Sequence, residues 1–375
     1  MEASAARGPG AGVAAIAVGL VVASVVVWFV QRHTPVPVRR HTGEVGSIVY
    51  AARAADGQTR LYRWDLVADV VRRGPVVRNL VGLYDASAAH PGWVGESSAS
   101  PSGGVDIGVF KFLGPDDAAL PLGHGTVAGW EAGGADAVVG TMINQVGDCG
   151  QLHIVLIHVA TLRQETTGKE RVCATLDGVA QGQTLTYLSL GRGSDTRIVQ
   201  TSISRLRPVL PHAHLDSLSP ADDMIVTLRP SSLSSQPQEA ALYFRGPASQ
   251  DPTPFALGDP TLSSPTPSEP KPVYSPFVLD RVLAWAPDGS EALALGSAGG
   301  RTGFFRLESA PPEGATQPAL YVGPATGHAD ALYTATTRMV FSDGHFSRVL
   351  DGSTTTFPLP PDAPVPTGPM VWVRG

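Results

Sequence analysis

VLAWAPDGSEALALGSAGGRTGFFRLE, residues 282–308, places a tight turn between runs of apolar residues. Pro287 fixes φ near the value that the second position of a turn requires. Asp288 can bond its own backbone, and Gly289 accepts the left-handed conformation that closes the turn. Before the turn, Val282, Ala284 and Ala286 alternate with Leu283 and Trp285. After it, Glu291–Leu295 reads as a short, largely buried strand. Gly296–Gly300 then reads as a flexible turn, Gly303–Leu307 as a third strand and Ala319–Val322 as a fourth. Four short antiparallel strands in about 45 residues is the period of one propeller blade.

Related units recur. ASPSGGVDIGVFKF starts at Ala99, GWEAGGADAVVGTM at Gly129, LSPADDMIVTLRP at Leu218 and VFSDGHFSRVL at Val340. Full strands near residues 47, 92, 135, 185, 223, 291 and 338 mark seven units. The steps between them cluster at about 38–50 residues, with one near 68, against about 40–50 per blade. The long step contains residues 246–276, rich in Pro and Ser, which reads as an inserted surface loop. The expected fold is therefore all-β: a β-propeller of about seven four-stranded blades over residues 46–375. Six larger blades and tandem β-sandwiches are the alternatives. The tail MVWVRG, from Met370, is strand-like and is expected to pair beside the Val45–Ala51 strand, closing the ring.

The run Trp285-Ala286-Pro287-Asp288-Gly289 resembles the repeat of TolB-type (WD40-like) β-propellers, whose blades carry a Trp-Ser-Pro-Asp-Gly turn. The sixth unit matches it well, and other units keep parts of it. The resemblance covers most of the chain after about residue 45, and it implies a propeller that binds something. It implies no catalytic residue.

Residues 1–10 form a short tail. Residues 11–30, AGVAAIAVGLVVASVVVWFV, are uncharged and long enough to cross a bilayer core of about 30 Å as a helix. Residues 31–45, with Thr34-Pro-Val-Pro-Val-Arg-Arg, read as an extended stalk. A cleaved signal peptide would have a shorter apolar region and a small-residue cleavage site. Arg32, Arg39 and Arg40 follow the span and only Arg7 precedes it, which taken alone favours a cytoplasmic body. The two cysteines argue the other way. Cys149 and Cys173, the only pair, lack metal or CxxC spacing and suit one disulfide in an oxidising compartment. Two unrelated buried thiols are the alternative. An extracytoplasmic propeller is the expectation.

A formal net charge of −6 gives nucleic-acid binding no electrostatic support. No GxSxG, HExxH, phosphate loop or dinucleotide fingerprint occurs, and no cofactor is expected. His153 and His158 are an odd number apart on a strand, so they would face apart. His212, His214 and Asp216 would share one face if extended, which makes them weak metal candidates. Asp116-Asp117 and Asp222-Asp223 are adjacent pairs suited to turns, and Gly123-His124-Gly125 reads as a turn. Trp64, Trp93, Trp130 and Trp285 are expected to pack between blades. The composition and motifs thus favour a membrane-anchored binding scaffold over an enzyme. Its partner would be an envelope protein, peptide or glycan. A propeller hydrolase or lyase with a central-channel site and a structural envelope component are the other readings.

Overall fold

The computed structural model describes residues 45–85, 273–308, 316–350 and 353–373 continuously, and between residues 93 and 261 the strands given below with a few neighbours. Side chains are described chiefly for residues 45–83, 215–227, 256–259, 275–308, 316–350 and 354–373. The tail 1–10, the proposed span 11–30 and residues 31–44 of the stalk lie outside the described residues. Among the described residues no helix is long and apolar enough to cross a membrane.

The regular elements are strands in antiparallel runs of four. The first run joins β1 (Ser47–Arg53), β2 (Thr59–Asp65) and β3 (Val70–Val76) to β29 (Pro366–Val373), in the order β29-β1-β2-β3. The second holds β4 (Leu80–Asp85), β5 (Trp93–Ala99), β6 (Val105–Lys111) and β7 (Ala119–His124). The third holds β8 (Thr126–Trp130), β9 (Asp136–Val146), β10 (Cys149–His158) and β11 (Arg163–Arg171). The fourth holds β12 (Ala174–Val179), β13 (Thr186–Leu190), β14 (Arg197–Ser202) and β15 (Arg205–Pro211).

The next two runs share one nine-stranded sheet. One contains β16 (Ala213–Leu218), β17 (Met224–Leu228), β18 (Ala241–Phe244) and β19 (Pro254–Thr261), with β20 (Val273–Pro276) added to β19. The other contains β21 (Val278–Trp285), β22 (Glu291–Ala298), β23 (Arg301–Glu308) and β24 (Thr316–Gly323). A parallel pairing of β19 with β24 joins them. The last run is β25 (Asp330–Tyr333), β26 (Arg338–Ser342), β27 (His345–Leu350) and β28 (Ser353–Phe357).

The full strands read from sequence near 47, 92, 135, 185, 223, 291 and 338 are β1, β5, β9, β13, β17, β22 and β26, the second strand of each run. The physical reason shows where side chains are described. These strands are buried on both faces, and alternate residues serve two neighbours. In β22, Ala292 and Ala294 pack with Ile225, Phe277 and Phe305. Leu293 and Leu295 turn the other way, toward Ala331, Tyr333 and Val340 of the last run. In β1, Ile48 and Tyr50 join Leu332, Phe341 and Phe346, whereas Val49 and Ala51 join Leu83. Such strands lack polar alternation and read as continuous apolar runs.

The tail pairs as expected. Ser47, Ile48, Val49 and Tyr50 lie opposite Val373, Trp372, Val371 and Met370. The two residues just before β1 are locked beside it. Leu66 N donates to Gly46 O at 3.1 Å, and Trp372 Nε1 donates to Val45 O at 3.3 Å. Gly46 has φ +112°, and a Cβ there would meet Val373 O at 2.6 Å.

Three features differ from the sequence reading. Residues 246–276 are not all loop. They contain β19, with Leu257 and Asp259 buried, and β20. Gly296 is not part of a flexible turn but lies inside β22, where a Cβ would run into the Phe277 ring and Val278 O. The turn itself is Gly299-Gly300, with φ +57° and +77°. The Asp-Gly units are also not equivalent. Asp288-Gly289 joins a first strand to a second. Asp343-Gly344 joins the second strand β26 to the third strand β27 and so lies at the opposite end of its run.

Inner strands of neighbouring runs advance in the same direction. Trp285, ending β21, donates to Ser217 Oγ near the end of β16 at 2.7 Å. Arg281, early in β21, donates to Ala329 O just before β25 at 2.6 Å. The first-to-second and third-to-fourth connections of these runs therefore share one face, called here the Asp288 face.

Candidate functional site

The Asp288 turn has the predicted geometry. Gly289 N donates to Ala286 O at 2.9 Å, and Ala286 N donates to Glu291 O at 2.8 Å. Gly289 has φ +74°. Asp288 Oδ1 accepts from Ser290 Oγ at 2.6 Å and from Ser290 N at 3.0 Å. The Ser290 hydroxyl, then its N–H, hold the Asp288 carboxyl below its ordinary pKa.

This turn forms one wall of an open cleft of about 560 Å³ between the last two runs. The opposite wall is the 334–337 turn, where Thr337 N donates to Thr334 Oγ1 at 2.9 Å. Arg348, Val349 and Leu350, at the end of β27, complete it. Glu291, the first residue of β22, lies in the lining with 8% of its surface exposed. Its carboxylate is hydrogen-bonded by Arg338 of the neighbouring run and lies 3.8 Å from Arg306. Arg306 in turn reaches Glu308 at 2.6 Å. Tyr333 is buried beside Glu291. Burial, then the nearby carboxylate, push its hydroxyl well above the ordinary tyrosine pKa. Tyr333 thus keeps its proton near neutral pH. The cleft presents paired charges, threonine hydroxyls and two turns, an arrangement suited to binding by hydrogen bonds and shape.

A second polar group sits on the inner strands. His328 Nε2 donates to Gly368 O at 2.9 Å. Asp330 accepts from Ala331 N at 2.8 Å and from Met370 N at 3.3 Å. Burial raises the Asp330 carboxyl above its ordinary pKa. With Arg281 on Ala329 O, these side chains fasten neighbouring inner strands through backbone groups.

The other sequence candidates divide as follows. Trp64 is fully buried and packs on Phe346 of the last run, with ring centroids 5.8 Å apart. Trp285 packs between the two runs of the nine-stranded sheet. The side chains of Trp93 and Trp130 lie outside those described. Among the proposed metal ligands, Asp216 is exposed and accepts from Thr227 Oγ1 at 2.6 Å. His214 stands opposite Thr227 in register, and His212 lies outside the described residues. Among the described residues no group of three or more His, Cys, Asp or Glu could hold a metal. Cys149 begins β10 opposite Val146, while Cys173, its proposed partner, lies outside the described residues. His124 ends β7 opposite Asp106, and Asp116, Asp117 and Asp222 are likewise outside. Sequence reasoning missed Glu291, Arg306, Arg338 and Tyr333 as a set. They come from two separate runs, so no local spacing links them.

No protein-family model matches the chain, and no curated protein sequence matches it. Solved structures do. An oligogalacturonate lyase in complex with manganese is similar at TM-score 0.56 and 12% identity, over 81% of this chain and 86% of that one. The β-propeller domain of the Trilobed protease from Pyrococcus furiosus is similar at TM-score 0.54 and 6% identity, over 86% of this chain and 96% of that domain. TolB from Acinetobacter baumannii is similar at TM-score 0.45 and 11% identity, over 73% of this chain and 66% of that one, which adds nothing to the assignment. At these identities the likeness shows the fold alone: the described residues form an all-β structure with a β-propeller fold.

Proposed function

We propose that the chain is a single-pass, membrane-anchored, extracytoplasmic propeller of seven blades. It acts as a binding scaffold in the cell envelope, and the cleft beside Asp288 receives a protein, peptide or glycan. The observation that carries this reading is the cleft itself. Its buried acid, Glu291, is committed to Arg338 and Arg306, so the site offers recognition surface rather than a free acid or base. The uncharged run 11–30 supports the anchor, and the seven four-stranded runs support the blade count. Alkaline phosphatase fused after Gly375, with a cytoplasmic reporter as control, tests the location. Phosphatase activity is expected. Activity from the cytoplasmic reporter alone would place the propeller inside the cell.

A central-channel hydrolase or lyase is the second reading. Asp330 favours it, since a buried carboxyl of raised pKa on an inner strand, near Arg281 and His328, is the kind of group an acid catalyst requires. Turnover of a substrate that Asp330→Asn abolishes without loss of folding would support it over the scaffold.

A further inference from the structure

Three Asp-Gly pairs lie in turns whose side chains are described: Asp56-Gly57, Asp288-Gly289 and Asp343-Gly344. Such a pair can react with itself, because no glycine side chain screens its nitrogen from the aspartate carboxyl carbon. In two of the three, both reacting groups are engaged. Gly57 N donates to Ala54 O and Gly289 N to Ala286 O, each at 2.9 Å. The Asp56 carboxylate accepts from Gln58 N at 3.0 Å, Arg60 at 3.2 Å and Arg73 at 3.3 Å. Asp288 Oδ1 is held by Ser290. The Gln58 N–H, then Arg60, keep the Asp56 carboxyl below its ordinary pKa, and Ser290 does the same for Asp288. Both stay ionised, and a carboxylate is a poorer electrophile than the acid.

Asp343-Gly344 differs at both groups. It is the two-residue turn between β26 and β27, closed by the Ser342–His345 pair. Its φ values of +51° and +80° are those of a type I′ hairpin. The turn is anchored through other atoms: Asp343 N donates to Thr326 O at 3.2 Å, and Ser342 Oγ to the same oxygen at 3.0 Å. Neither the exposed Asp343 carboxyl nor Gly344 N has a hydrogen-bond partner among the described residues.

We propose that Asp343 is a site of spontaneous β-aspartyl modification, open in this fold where Asp56 and Asp288 are blocked. The Gly344 nitrogen attacks the Asp343 side-chain carboxyl carbon. Its proton and the carboxyl hydroxyl leave together as water, which closes a five-membered succinimide. Water then adds back. Opening at the main-chain carbonyl leaves the chain running through the side-chain carbonyl, the β-aspartyl form. Opening at the side-chain carbonyl restores aspartate. Nothing is oxidised or reduced, and water is the only co-reactant. The product adds one carbon to the main chain of the turn, at the end of its run opposite the Asp288 face and its cleft.

The test ages the full chain for weeks at neutral pH, folded in one arm and in denaturant in the other. Trypsin then releases each pair on its own peptide, residues 54–60, 282–301 and 339–348. Mass spectrometry with electron-transfer fragmentation counts the β-aspartyl form in each. In the folded chain, position 343 is expected to convert about tenfold faster than 56 or 288, since hydrogen bonds must open first at those two. In denaturant the three rates should converge. In isotope-labelled water the β-aspartyl product should carry one solvent oxygen, and Asp343→Glu should leave the 339–348 peptide unconverted. Conversion at 56 or 288 as fast as at 343 in the folded chain would overturn the inference. So would a folded chain that protects 343 while the denatured chain converts it, or no conversion at 343 in either arm.

Discussion

The first run, β29-β1-β2-β3, and the sixth, β21-β22-β23-β24, follow one plan with one difference. In each, the second strand is buried on both faces. The inner neighbour of β22 is β21, delivered by the five residues Ala286–Ser290. The inner neighbour of β1 is β29, delivered from the far end of the chain. The sixth run closes locally, and its turn chemistry is written in adjacent residues. The first closes only when the intervening runs are in place, because loop-closure entropy precedes the contacts that offset it. Its closure is held by contacts instead: Trp372 in the core, His328 on Gly368 and Asp330 on Met370.

The largest expected effect tests that distant closure. Removing residues 370–375 uncovers Ile48 and Tyr50 along β1, so folded yield and the thermal transition should collapse. An unchanged Tm would mean that β29 does not close the ring. Next, Trp372→Ala should cost about 3–5 kcal/mol, and Leu293→Ala in β22 about 2–5 kcal/mol, by denaturant unfolding. Kinetics sharpen the comparison. Late docking of β29, expected from its long loop closure, predicts that Trp372→Ala acts mainly on the unfolding rate, whereas Leu293→Ala also slows folding. Equal partition in both variants would remove the distinction.

Gly289→Ala, forcing φ +74° on an L side chain, should cost about 1 kcal/mol by the same measurement. Gly46→Ala should cost more, since its Cβ also meets Val373 O at 2.6 Å and Trp372 Nε1 at 2.7 Å. The smallest effect is electrostatic. Burial raises the Asp330 carboxyl in the folded chain, so the folded state binds that proton more tightly than the unfolded state. The stability it contributes is complete below the ordinary carboxyl range and is lost as pH rises through the raised value. The Tm of the native chain, measured against Asp330→Asn, should therefore fall as pH rises across that window. A pH-independent difference would show that the latch does not titrate.

The second strands were legible because burial on both faces leaves runs such as SIVYAA and EALALG without polar alternation. The Asp288 turn was legible because Pro, Asp and Gly each meet a local backbone demand. β19 was hidden by composition: PFALGDPT holds two prolines and sits among Ser and Pro, and its place comes from pairing with β18 and β24. Gly296 resembled a turn glycine because sequence cannot distinguish a demand for positive φ from a demand for space beside Phe277. The cleft was not legible at all. Glu291 reads as the polar start of a strand until Arg338 arrives from the next run.

Binding at that cleft is the center of the account, and photo-cross-linking in living cells reaches it most directly. A photoreactive residue replaces Ala335, exposed on the cleft wall, or Ala55, exposed on the opposite face. The account predicts a discrete adduct from position 335 and none from position 55, with the adduct lost when Thr336→Trp fills the cleft. Adducts of equal strength from both positions, or from position 55 alone, would contradict it.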